Sequence, residues 1–326
     1  MNISKTFTST FFSIAFATAI GAATYETAYA AVVAPVSAAA NATTASATSA
    51  AEQFQVGSMY VEKYANPQAK GAPVILIPGL SSGGYVWDET VKQLRAEHEL
   101  YVVTLAGFNG KSAMPGAKLP KAKESLLELI QTQKINQPIL VGHSLGSALS
   151  LWFAESHSNL IRGVFAVDGL PVFPGTQNMT LEQRTAMAEA ARRQMAGADA
   201  KTFAEQQLQY MRMIGLVDQA QAEKIAVRSA TSDPAATADY MAELLIMDTR
   251  QDLPKISVPV VLVSPYYATD FVRMNMSEEA KSAYYMSFMQ GIPKLSLVSI
   301  KDARHFVMLD QPTIFHEKLL NFVNQL

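Results

Sequence analysis

No cysteine occurs among the 326 residues, so no disulfide can staple the chain and no lipid can be attached through a modified cysteine. Stability therefore rests on core packing, and 49 % hydrophobic residues are enough for one large domain or a domain carrying an insertion. Charge of one sign is also lacking. Against 28 Asp and Glu stand 26 Lys and Arg, the formal net charge is -2, and no basic cluster stands out, which argues against a nucleic-acid partner. Neither a metal-ligand cluster nor a phosphate-binding glycine loop is present, so no cofactor and no metal is expected.

Near the N-terminus the apolar stretch Phe11 to Ile20 is too short to span a bilayer with margin. It follows Lys5 and precedes the small-x-small sequence Ala28-Tyr29-Ala30, the pattern of a secretory signal peptide. Residues 1–30 are read as that signal, cleaved after Ala30 with Ala19 and Ala23 as alternatives. An exported protein, periplasmic or secreted, without a stable membrane anchor is the expectation. Residues 31–51, almost entirely Ala, Ser, Thr and Val, read as a disordered linker.

Alternating apolar and polar residues from Phe54 to Tyr64 predict an opening pair of antiparallel strands. A different rhythm follows. Val74–Ile77, Tyr101–Leu105, Ile139–Val141, Val164–Val167, Val260–Val263 and Leu295–Ile300 are short β-rich runs without strict alternation, as expected of strands buried on both faces in a parallel sheet. Helical patterns at 87–97, 121–133, 148–156, 278–289 and 313–323 separate or follow them, which predicts a mostly parallel, doubly wound α/β sheet. From about Pro174 to Leu253 no strand is expected, only helical segments with several methionines. This segment, 174–253, reads as an inserted helical cap on a core made of 52–173 and 254–326. Its methionines serve as core filler or as an adaptable apolar pocket lining.

Directly after the third of those parallel-strand runs stands Gly142-His143-Ser144-Leu145-Gly146. A serine hydroxyl is a weak nucleophile unless a turn holds its Oγ clear of the backbone, near a base and near oxyanion donors. A glycine-flanked serine between strand and helix has that form, the nucleophile elbow, and a Cβ at either glycine would crowd the turn. Of the five histidines, His305 alone follows a late strand in a loop, where an α/β sheet presents its chemistry. His98, His157 and His316 have structural or solvent-facing settings, and His143 is too close in sequence to approach the Ser144 Oγ productively. His305 is the expected base.

From Gln53 to Leu326 the chain resembles lid-bearing serine hydrolases of the α/β-hydrolase fold, of the alpha/beta-hydrolase-6-like type. The likeness rests on Ile77-Pro78-Gly79-Leu80-Ser81-Ser82 with Trp87 shortly after, on the elbow, and on His305-Phe306-Val307-Met308-Leu309-Asp310-Gln311-Pro312. It implies the chain order nucleophile, acid, histidine. Some cap-bearing members carry the acid after the strand that here ends at Val167, which points to Asp168; most carry it one strand later, where Asp270 is nearest. Asp168 is preferred and Asp270 is the alternative. Oxyanion donors would be the N–H groups of Leu145 and Leu80. Pro78-Gly79 stands where the family more often has His-Gly, without removing the peptide donor.

The resemblance implies a serine hydrolase acting on a small, largely apolar carboxylic ester, its partner a small-molecule acyl substrate. The same triad also serves acyl transfer, perhydrolysis or carbon–carbon hydrolysis. A non-catalytic scaffold that binds an apolar ligand under the cap is the reading from another class. The oligomeric state is not written in the sequence.

Overall fold

Strands that lack polar alternation need cover on both faces, and this chain provides it by alternating strand with helix. The computed structural model describes residues 51–326. The expected signal peptide, and the linker up to residue 50, lie outside the described residues. Eight strands, β1 (Glu52–Val56), β2 (Met59–Tyr64), β3 (Val74–Ile77), β4 (Leu100–Leu105), β5 (Ile139–His143), β6 (Gly163–Val167), β7 (Val260–Tyr266) and β8 (Leu295–Lys301), form one sheet in the order 1-2-4-3-5-6-7-8. β1 and β2 are an antiparallel hairpin, β2 runs antiparallel to β4, and all pairings from β4 to β8 are parallel.

The helices are α1 (Asp88–Leu94), α2 (Leu119–Thr132), α3 (Leu145–His157), α4 (Leu181–Ala196), α5 (Ala200–Tyr210), α6 (Gln219–Ser229), α7 (Pro234–Ile246), α8 (Glu278–Phe288) and α9 (Pro312–Val323), with single turns between. One face of the sheet is covered by α2, α3 and α8 through Leu126, Leu149, Phe153 and Phe288. The other is covered by α1, the turn just before it and α9 through Leu94, Trp87, Phe315 and Leu319. β6 divides itself between them. Val164 and Ala166 face the first cluster, Phe165 and Val167 the second, and all four are fully buried.

Two boundaries differ from the sequence reading for physical reasons. β7 continues three residues beyond Val263, through Ser264-Pro265-Tyr266, all paired with β8. The Val263 carbonyl accepts from the Asp168 N–H on the β6 side. Two residues on, Pro265 turns the same way, past the end of β6, where its missing N–H leaves no bond unmade. At the first helix, Gly84–Trp87 form a 3-10 turn and α1 is shorter than expected.

Between β6 and β7 the chain inserts α4 to α7. Each has a side-chain cap: Thr180 in a capping box, then Asp199, Asp218 and Asp233 accepting from the first turn. α4 packs on α7 through Ala188, Ala191, Ala242 and Leu245. The two ends of the insert meet where Val172 bridges Asp248, whose carboxylate takes Arg184 at 2.7 Å and Arg250 at 2.8 Å. From α7, Glu243 accepts the Lys118 and Leu119 N–H groups at the start of α2, tying insert to core.

Candidate active site

Ser144 follows the last residue of β5 and precedes the first of α3, with φ 53° and ψ -113°, a conformation an L-residue adopts only under constraint. Its N–H donates to the Val167 carbonyl at 2.8 Å, anchoring it against β6. A Cβ on Gly142 would come within 2.2 Å of the Gly146 carbonyl oxygen, and one on Gly146 within 2.3 Å of the Ile77 oxygen, so both flanking positions admit glycine alone. As the first residue of α3, Leu145 has an N–H without an intrahelical acceptor. Leu80, in the loop after β3, also donates its N–H to no acceptor among the described residues. That loop is held by Ser81 Oγ against Thr237 Oγ1 of α7 (3.1 Å) and by Tyr85 against Ser229 of α6.

Asp168, immediately after β6, has φ 45° and sits one strand over from Ser144. His305 Nδ1 donates to its Oδ2 at 2.6 Å, and Tyr285 Oη donates to its Oδ1 at 2.8 Å. Burial alone would raise the carboxyl, but the His305 bond, the Lys281 charge and the Tyr285 bond outweigh it and hold Asp168 down at about 2. With Nδ1 committed to the carboxylate, Nε2 of a neutral His305 carries the free lone pair. Ser144 Oγ itself makes no hydrogen bond to His305. The two residues are joined through His143, whose Nε2–H donates to the His305 carbonyl at 2.9 Å and whose ring centroid lies 4.5 Å from that of His305. Burial keeps the His143 ring neutral, well below its ordinary value.

Asp270, the alternative acid, does not reach His305. The longer β7 carries it into the one-turn helix Ala268–Phe271, where the Arg304 guanidinium grips both its oxygens at 2.7 and 2.9 Å. Arg304 also donates to the carbonyls of Arg212 and Leu216, His305 N–H to Ile214 and Phe306 N–H to Gly215. These acceptors belong to, or directly follow, the π-helical turn Met211–Gly215 after α5, so the insert seats the His305 loop. Asp310 accepts the N–H groups of Arg304 and Val217 and completes that seat. The Tyr210 ring stands edge-on to His305, centroids 6.2 Å apart.

The remaining histidines lie elsewhere: His98 is buried against the Ala72 carbonyl, His316 bonds Thr90, and His157 stacks on Phe153. Sequence reading missed Tyr285, Lys281, Tyr210 and Arg304. The first two sit four apart on α8, a lysine and a tyrosine on a helix face turned inward, and that spacing was a usable signal. Among the described residues no group of three or more His, Asp or Glu could hold a metal ion.

Residues 74–317 match the profile of the alpha/beta hydrolase family. A pimeloyl-[acyl-carrier protein] methyl ester esterase of Vibrio atlanticus is 26 % identical over 204 residues, 61 % of this chain and 77 % of that protein. An enzyme of the same name from Vibrio vulnificus is 28 % identical over 115 residues, 35 % of this chain and 44 % of the relative, so this match spans less than half of the relative's length. Among solved structures, a thermophilic esterase from Thermogutta terrifontis superposes with a TM-score of 0.64 at 20 % identity, over 84 % of this chain and 99 % of that one, a likeness of fold.

Proposed function

The chain belongs to the alpha/beta hydrolase family and is a hydrolase, and from that premise we propose that it cleaves a small, largely apolar carboxylic ester through Ser144, His305 and Asp168. The observation that carries this reading is the 2.6 Å bond from His305 Nδ1 to Asp168 at the C-terminal edge of the sheet that also bears the strained Ser144 turn. The esterases similar to this chain act in the same reaction class by their names.

In the first half-reaction Ser144 Oγ attacks the ester carbonyl carbon while His305 Nε2 takes its proton. The carbonyl oxygen becomes an oxyanion facing the N–H groups of Leu80 and Leu145 at the positive end of α3. Collapse breaks the bond to the leaving oxygen, Nε2 returns the proton to it, and an alcohol departs from an acyl-Ser144. Water, giving a proton to the same nitrogen, then attacks the acyl carbon, and the carboxylic acid leaves as Ser144 regains its proton. Asp168 stays ionised throughout and stabilises the transient imidazolium. Leu80, Leu145 and Tyr210 beside the triad support the preference for an apolar acyl group, and the helical insert serves as the cap.

A fluorophosphonate probe followed by peptide mass mapping tests this without a guess at the substrate. The expected adduct is on Ser144, absent in Ser144→Ala and strongly reduced in His305→Ala. A folded protein that takes no label would overturn the reading and favour an apolar-ligand scaffold.

A further inference from the structure

Lys281 is a lysine in the wrong medium. On α8, facing the sheet, it is only 5 % exposed, and its ammonium donates to the Pro265 carbonyl. Nζ lies 4.6 Å from the centroid of the Tyr285 ring and 5.3 Å from that of Phe271. No carboxylate comes within ion-pair distance of it among the described residues. Burying an ammonium without a counter-charge is costly, so what its field reaches matters. Two carboxylates feel it, Asp168 and Asp270. Asp270 is already neutralised by the fork of Arg304, which leaves the Asp168–His305 couple as the recipient. One turn further along the same helix, Tyr285 donates to the Asp168 oxygen that His305 does not use.

We propose that Lys281 and Tyr285 are a positioning pair on one face of α8 that keeps Asp168 ionised and aimed at His305. This rests on the triad reading above. Tyr210 from the insert stays neutral because burial pushes its phenol up, and His143 stays neutral because burial pushes its imidazole down. Burial pushes Lys281 down, and Asp168 and Asp270 offset only part of that. The ammonium is thus the one unneutralised cation among these groups whose field reaches the Asp168 carboxylate that His305 holds. An ammonium and a phenol donor held beside one carboxylate together keep it charged and fix its orientation.

The test is an NMR pH titration of the His305 ring, assigned by its loss in His305→Gln, in the unaltered protein and in Lys281→Met, Lys281→Arg and Tyr285→Phe. Removing the cation in Lys281→Met should raise the His305 midpoint by about one pH unit. Lys281→Arg should restore it. Tyr285→Phe, which strips one donor from the carboxylate, should raise it by a smaller step, and the acid limb of the fluorophosphonate labelling rate should move with each. A folded Lys281→Met with an unmoved midpoint, or a shift that Lys281→Arg reproduces in full, overturns the proposal. If Lys281→Met does not fold, an unmoved midpoint in Tyr285→Phe overturns it. Ring titration requires no turnover, so failure of this proposal is distinct from failure to label Ser144.

Discussion

Each oxygen of Asp168 has its own donor, and a carboxylate so held has no freedom to swing. Replacing Asp168 by Asn keeps the shape but offers an amide where His305 Nδ1–H needs an acceptor, which favours the wrong tautomer. The expected loss of kcat on a short-chain chromogenic ester is roughly 1,000- to 10,000-fold with KM little changed. Asp270→Asn, which disturbs only the Arg304 clasp, should cost far less, and an equal loss in both would reassign the acid. Because Asp168 is held at about 2 when folded and titrates near an ordinary value when unfolded, its contribution is full above about 4 and is lost as pH falls toward 2. The denaturation midpoint of the native protein should therefore fall more steeply over that window than that of Asp168→Asn. The glycine-flanked turn of Ser144 was legible because its constraint is local, a backbone too tight for a Cβ. Which aspartate meets His305 was not, since two aspartates of similar setting differ only in what lies across from them.

The insert depends on one carboxylate at its base. Asp248 joins Arg184 of α4 to Arg250 beyond α7 and is pulled down to about 2, the two guanidiniums outweighing partial burial. Asp248→Ala leaves two arginines facing each other. After discount for their partial exposure, a loss of about 1–3 kcal/mol is expected. Hydrogen exchange should show it as faster opening of α4 and α7, with β5 and β6 still protected; uniform loss of protection would mean that insert and core unfold as one. At this scale the strand and helix rhythm was readable from composition, because doubly covered strands are uniformly apolar. The end of β7 was not. A proline in a strand normally marks its limit, and only the absence of β6 beyond Val167 makes Pro265 acceptable there.

Across the whole molecule, with no cysteine, stability is that of the two apolar layers, and a buried charge inside one of them is a liability. Glu155 on α3 is such a group: burial raises it to about 7 from an ordinary value near 4.5. Between those two values the folded state keeps a proton that the unfolded state has lost, so stability declines as pH rises through this window and is flat above it. Glu155→Gln should raise the thermal midpoint at pH 8 by roughly 2–4 °C and change it less at pH 4.5; an equal change at both pH values would remove ionisation as the cause. The sequence by itself determined the class of fold and the place of the serine turn, because hydrophobic rhythm and glycine spacing act within a few residues. Only the tertiary structure decided which carboxylate meets His305, 137 positions away, and that Tyr285, 117 positions from Asp168, and Lys281 stand behind it. Those meetings follow from how far β7 runs and how α8 lies on the sheet, and no short stretch of sequence encodes a distance between strands.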